Sequence, residues 1–299
     1  MTILLVGSRG QLGREVENKK AARSGSDMVA MDLPEIDITD LAKLSQMFSE
    51  LKPSIVINTA AYTAVDAAET QADLCYAVNR DGPANLAGLC VKTGATLIHI
   101  STDYVFDGSG NTPYHEDDPV SPIGVYGKSK AEGENAVMAR TGEHIVIRTS
   151  WLYGKYGKNF VKTMLRLAME KDTLHVVNDQ YGCPTCAADL AEAVLMIADF
   201  LEKQNGHEGG IYHYCGEGIT TWYDFATSIF DIAAELGLAK VPKVVPVSTA
   251  QFPTAAKRPL FSALDCSGIE KSFGIGLRPW KQSLKRTIQE MVTRQGWNF

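Results

Sequence analysis

The sequence predicts an α/β protein: a doubly wound parallel sheet followed by a smaller C-terminal lobe. Three observations carry this. Short apolar runs alternate with amphipathic helical stretches through the first half, as strand–helix–strand units do. A glycine-spaced turn directly follows the first apolar run. The last third keeps helical periodicity but only short strand-like pieces. With 299 residues and 45% hydrophobic content, the chain can bury a large core. Charged residues make up only 21%, which argues against disorder.

Taken in order, Thr2 to Gly7 reads as a strand, and a helix starts near Gln11. Met28 to Asp32 is a second strand. Asp40 to Leu51 is helical, with Leu41, Leu44, Met47 and Phe48 on one face. Ser54 to Asn58 is a third strand, and Asp73 to Val91 one long helix. Thr96 to Ser101 and His144 to Ser150 are the fourth and fifth strands. Between them lie a polar loop, Asp107 to Pro122, and a helix from Tyr126 to Arg140. Later helices are expected at Phe160 to Lys171, Asp189 to Lys203, Thr221 to Leu236 and Trp280 to Thr293. Strand-like pieces fall at His175 to Val177, Ile211 to Tyr214 and Lys243 to Val247, and Asn205 to Gly210 reads as a surface turn. The expected division is 1–150 for the sheet domain and 151–299 mainly for the second lobe, with late segments returning to the sheet.

The net charge of −6 excludes general attraction to nucleic acid or an anionic membrane. No run of roughly 18 apolar residues occurs, and the apolar start is short with no preceding basic residues. A cytoplasmic protein with reduced thiols is expected, since the six cysteines are scattered along a long chain. Cys183 and Cys186 have Cys-x-x-Cys spacing, but without a second pair they read as incidental loop cysteines.

Gly7-Ser8-Arg9-Gly10-Gln11-Leu12-Gly13 lies between the first strand and first helix. Gly7 permits a tight turn, Gly10 lets a pyrophosphate approach the backbone, and Gly13 lets helix and strand pack closely. The helix N-terminus then presents N–H groups to phosphates. This marks a Rossmann dinucleotide site, and the Gly-x-x-Gly-x-x-Gly spacing resembles short-chain dehydrogenases/reductases. Asp32, ending the second strand, is placed for the adenosine ribose hydroxyls and favours NADH. Arg9 could receive a 2′-phosphate, so NADPH stays open. Asp37, followed by Ile38, is a second cofactor candidate, or a turn residue.

Tyr126 and Lys130 stand four apart on a helix and share a face. An ammonium beside the phenol would lower its pKa and suit it to general acid–base work. Thr102 follows the fourth strand, at the carboxyl edge where such sheets bind ligands, and can hydrogen-bond a substrate carbonyl. Thr102, Tyr126 and Lys130 are the candidate catalytic residues.

Ser101-Thr102-Asp103-Tyr104-Val105-Phe106-Asp107-Gly108, Tyr126-Gly127-Lys128-Ser129-Lys130, Arg148-Thr149-Ser150-Trp151-Leu152-Tyr153 and Asn178 to Thr185 resemble the dTDP-4-dehydrorhamnose reductase family, over nearly the whole chain. The resemblance implies NADPH- or NADH-dependent reduction of a nucleotide-linked 4-keto sugar, the last step of dTDP-L-rhamnose synthesis. It implies cofactor contacts from Ala61, Tyr62, Thr63 and Asn79, besides Tyr126 and Lys130. It implies that Thr102, Asp103 and Trp151 touch the sugar, with the C-terminal lobe binding substrate; Arg258 is a candidate for its phosphates. Some family members dimerise around Mg2+ held by glutamates. Two matching positions are Glu15 and Glu290, but the third is Ala188, which leaves monomer, homodimer and Mg2+ open. Alternative readings are another nucleotide-sugar reductase or epimerase, or a non-catalytic regulatory subunit of methionine adenosyltransferase. Tyr104 stands where a dehydratase would need a carboxylate beside the threonine and aspartate.

Overall fold

The computed structural model describes residues 2–23, 25, 27–140, 144–203, 209–237 and 240–295. The chain opens with β1 (Thr2–Val6), α1 (Gln11–Ala21), β2 (Asp27–Met31), α2 (Leu41–Leu51) and β3 (Ile55–Asn58). Three helices follow, α3 (Val65–Ala68), α4 (Ala72–Tyr76) and α5 (Gly82–Thr93), then β4 (Thr96–Thr102), α6 (Val125–Met138) and β5 (Ile145–Thr149). Next come β6 (Leu152–Tyr153), α7 (Phe160–Glu170), β7 (Thr173–Val177), β8 (Tyr181–Gly182), β9 (Thr185–Cys186) and α8 (Ala187–Lys203). The chain closes with β10 (Gly210–His213), β11 (Thr220–Thr221), α9 (Trp222–Glu235), β12 (Lys243–Val247), α10 (Ser267–Phe273) and α11 (Trp280–Gln295). Most of the surface turn expected at 205–210 lies outside the described residues.

Six strands form one parallel sheet in the order β10-β5-β4-β3-β1-β2. The order reverses direction at β1, between β2 and β3, and opens a crevice beyond the strand ends. Alternate side chains point to opposite faces, and both faces are covered. Ile3, Leu5, Ile55 and Ile57 pack against Leu12 and Val16 of α1, Leu190 and Val194 of α8, and Ile269 of α10. Leu4, Val6, Val56 and Leu97 meet Leu44 and Phe48 of α2, Leu86 of α5 and Val137 of α6. The sheet thus draws its last strand, β10, and two covering helices from beyond residue 150.

A second apolar cluster joins α7, α9 and α11 through Val161, Leu165, Phe225, Ile229, Leu284 and Ile288. The parallel pair β7–β12 lies beside it. Side chains cap its helices: Asn159 accepts from Lys162 N–H and Thr221 from Asp224 N–H.

The long helix expected from Asp73 to Val91 is instead interrupted by a π-turn, Ala77–Asp81. Pro83 explains this. It has no N–H to bond the Asn79 carbonyl four residues back, so the helix widens there. Among the described residues, no helix is long and apolar enough to cross a membrane.

Candidate active site

The turn after β1 is built as the glycines require. Gly7 has φ +83°, and a Cβ there would sit 2.5 Å from Ala60 N. A Cβ on Gly13 would lie 2.2 Å from the Gly7 carbonyl oxygen, so α1 passes directly beneath the turn. Gly10 caps α1 without a side chain, leaving the first-turn N–H groups facing outward. A cavity beside this turn is lined by Gly7, Gly10, Asp32, Asp37, Ile38 and Ala61, among others. This glycine cradle, which any side chain would fill, fits a dinucleotide.

Asp32 stands just past β2. Its two carboxylate oxygens accept the N–H groups of Arg9 (2.8 Å) and Leu33 (2.7 Å). The Arg9 guanidinium turns away to the Leu33 carbonyl and to Glu35 Oε1 at 2.6 Å. Asp37 lies on the cavity wall and also accepts from the Thr39 N–H and hydroxyl, so it shapes the turn as well.

The expected contacts from Asn79 and Tyr62 are not what the structure places at the cavities. Asn79 is buried; its Oδ1 accepts the Tyr62 N–H (2.8 Å), and its Nδ2 donates to the Tyr62 carbonyl (3.0 Å) and to Ser129 Oγ (3.1 Å). Its amide is therefore spent on holding the 60–63 loop against α6. Tyr62 directs its hydroxyl to Gln71, and neither residue lines the cradle cavity or the catalytic cleft, whereas Ala61 and Thr63 do.

A cleft of about 570 Å³ continues from the cradle, sharing Gly10, Thr59 and Ala61 with it. It collects Gln11 and Leu12 from α1, Thr102 at the end of β4 and Asp103 after it, Tyr126 and Lys130 of α6, and Trp151 after β5. Thr102 Oγ1 donates to Asp103 Oδ1 (3.0 Å), accepts the Tyr104 N–H (3.2 Å) and lines the same cleft as the Tyr126 phenol. Burial pushes the Asp103 carboxyl up to about 6. Ser101 Oγ and Thr149 Oγ1 are buried on this wall without a hydrogen-bond partner among the described residues. Such orphans suit a wall that receives a polar ligand.

One electrostatic expectation is reversed. The Lys130 ammonium is bonded to the Ile100 carbonyl (2.6 Å) and lies 3.3 Å from His99 Nε2. Burial raises the Tyr126 phenol instead of Lys130 lowering it. The two side chains share a helix face, but desolvation is the largest influence on the phenol.

Trp151 adopts φ +45°, rare for a bulky residue. Its indole stacks on Trp222 at 3.6 Å and 9° and rests over Gly182, where a Cβ would come within 2.5 Å. The strained backbone thus turns an aromatic wall into the cleft. Arg258 forms a bidentate pair with Asp66 (2.8 and 3.1 Å) and does not line the cleft. Trp222, Lys158 and His99 were missed by sequence reasoning, and Tyr104 was read only as arguing against a dehydratase. A histidine in an otherwise apolar strand was a usable signal for His99; nothing local marked Trp222 or Lys158.

The Mg2+ reading does not fit. Lys155 Nζ lies between the two glutamates, 3.5 Å from Glu15 and 3.0 Å from Glu290. An ammonium therefore already offsets part of the charge of the pair, and among the described residues no group of three or more His, Cys, Asp or Glu could hold a metal. All six cysteines are free and buried. Cys186 contacts Thr287, while Cys215 and Cys266 approach to 3.5 Å.

A cleft that runs from a glycine cradle to a buried Thr–Tyr–Lys group, at the reversal point of a parallel sheet, defines a nicotinamide-dependent oxidoreductase of the short-chain dehydrogenase class. The family model described as "RmlD substrate binding domain" matches residues 1–293. A dTDP-4-dehydrorhamnose reductase of Aggregatibacter actinomycetemcomitans is 43% identical over 95% of this chain and 97% of its own. Among solved structures, a dTDP-4-dehydrorhamnose reductase of Clostridium acetobutylicum superposes with TM-score 0.91 at 43% identity, covering 97% of this chain and 99% of that one. One from Bacillus anthracis, solved in complex with NADP, gives 0.87 at 38% identity over 97% and 99%. The chain belongs to the dTDP-4-dehydrorhamnose reductase family.

Proposed function

We propose that the chain reduces the 4-keto group of dTDP-4-dehydro-L-rhamnose to dTDP-L-rhamnose, with NADPH or NADH, as a cytoplasmic enzyme. The observation that carries this is the single cleft joining the glycine cradle to Thr102, Tyr126 and Lys130. When bound, the nicotinamide supplies a hydride to the carbonyl carbon. Tyr126 protonates the developing alkoxide; a phenol raised by burial keeps its proton until that charge appears. Thr102 orients the carbonyl and helps stabilise its negative charge. Lys130 holds the nicotinamide ribose. Trp151 and Trp222 form the flat apolar wall against the sugar, and Asp103 takes a sugar hydroxyl. The sheet half, with its late strand and helices, carries the dinucleotide, and the lobe within 151–299 carries the sugar.

The test is NADPH and NADH oxidation with enzymatically generated keto sugar. Wild type should oxidise at least one cofactor in a substrate-dependent way, and Tyr126→Phe should be slower by ~100-fold or more. Near wild-type turnover by that variant would remove Tyr126 as the acid.

A further inference from the structure

Beneath α6 runs a buried polar chain, from Ala60 through Asn58 and His99 to Lys130, of which the catalytic steps use only Lys130. Asn58 and His99 are paired across β3 and β4, and both are fully buried. The Ala60 N–H donates to Asn58 Oδ1 at 3.1 Å, which fixes the amide orientation. Asn58 Nδ2 then faces His99 Nδ1 at 3.1 Å. Because Nδ2 only donates, Nδ1 accepts, and the proton of the neutral ring sits on Nε2. Nε2 lies 3.3 Å from Lys130 Nζ, which itself donates to the Ile100 carbonyl.

An Nε2–H aimed at Nζ finds an acceptor only when Lys130 is an uncharged amine. Against an ammonium, two donors confront each other. The other ring tautomer would set Nδ1–H against the Asn58 NH2, and an amide flip would strand the Ala60 N–H. Protonating His99 offers no escape, since burial holds the imidazole well below its usual range.

We propose that His99, oriented by Asn58 and Ala60, is a positioning residue that sets the protonation state of Lys130 and thereby the alkaline limit of catalysis. The inference rests on the role given to Lys130 above. The other ionisable groups acting on Lys130 are Glu134 of α6 and Cys75 of α4, and Tyr126 of α6 lines the same cleft. Glu134 favours the ammonium but is already committed to Arg148. Burial brings Lys130 down to about 8, so its titration falls in an accessible range. As pH rises through that value, the charge that holds the ribose is lost.

The experiment follows kcat, and separately the Kd for NADH alone, from pH 6.5 to 10. The proteins are wild type, His99→Gln, Asn58→Ala and Lys130→Met. In His99→Gln an amide oxygen can accept from the ammonium, and the alkaline limb should move up by about one pH unit, tenfold in the protonation constant. In Asn58→Ala the ring is free to become Nδ1–H and accept at Nε2, so the limb should also rise. A role in packing alone would lower the melting temperature and the rate equally at every pH. Limbs unmoved in both variants would overturn the proposal. Lys130→Met separates the two levels: if it is inactive while the limbs stay fixed, only the His99 assignment fails. If it turns over like wild type, the role of Lys130 fails and the proposal with it.

Discussion

A 2′-phosphate on the adenosine ribose would meet Asp32 and Arg9 together. Asp32 repels it, while Arg9 could bind it but is held by Glu35 and the Leu33 carbonyl. Both members of the Arg9–Glu35 pair are about half exposed, so the pair is weak and its arginine can be recruited. Glu35→Gln should therefore tighten NADPH binding by roughly 2–5-fold and leave NADH nearly unchanged, as read by titrating cofactor fluorescence. Equal change for both cofactors would show that Arg9 does not reach the phosphate. At this scale the sequence was legible where chemistry is local. Gly7, Gly10 and Asp32 occupy the wall that their spacing to the first two strands implies, and Gly13 packs beneath the turn. It was not legible where a long-range partner decides. Asn79 is spent on the Tyr62 backbone, Arg258 on Asp66 and Lys130 on Ile100, and no spacing reveals those partners.

Elements meet at the active site through buried charge. Arg148 of β5 and Glu134 of α6 form a fully buried bidentate pair at 2.8–3.1 Å. The guanidinium also reaches the Glu116 carbonyl and lies over the Phe106 ring. This fixes the catalytic helix against the strand leading to Trp151 and against the loop before α6. Removing one partner leaves a buried charge unpaired, which costs more than the pair contributes. Arg148→Met should lose ~3–5 kcal/mol of unfolding free energy, measured by urea denaturation. A loss under about 1 kcal/mol would mean that the site relaxes or admits water. Helix and strand ends were mostly legible from periodicity, but the π-turn at Ala77–Asp81 was not. Its signal, Gly82-Pro83 inside an apolar helical pattern, was present; the period alone hid it. The two-residue strands β6, β8, β9 and β11 are too short to show any alternation.

The whole molecule closes where β10 returns to β5, and the closure carries an acid-sensitive histidine. His213 Nδ1 lies 3.1 Å from the Tyr114 and Asp265 carbonyls, and Nε2 faces Arg148 at 3.4 Å. Burial, then the arginine, brings its pKa down to about 3. His99 is likewise held neutral by burial. In the unfolded chain both titrate near 6.5. Below that value the unfolded state binds more protons, so stability falls with pH by ~1.4 kcal/mol per unit for each histidine. Asp103 works oppositely. Its folded value is raised to about 6 by burial, so between 6 and its ordinary range the folded state binds the extra proton and gains stability as pH falls. Three buried histidines held below their ordinary value, His144 included, against one aspartate leave a net loss of stability as pH falls below 6. The melting temperature should therefore decline steadily from pH 6.5 to 4.5, and His213→Asn should flatten the slope by about one proton's worth. A melting temperature constant across that range would show that the histidines gain protons without unfolding, and that the β10 seam opens to water first.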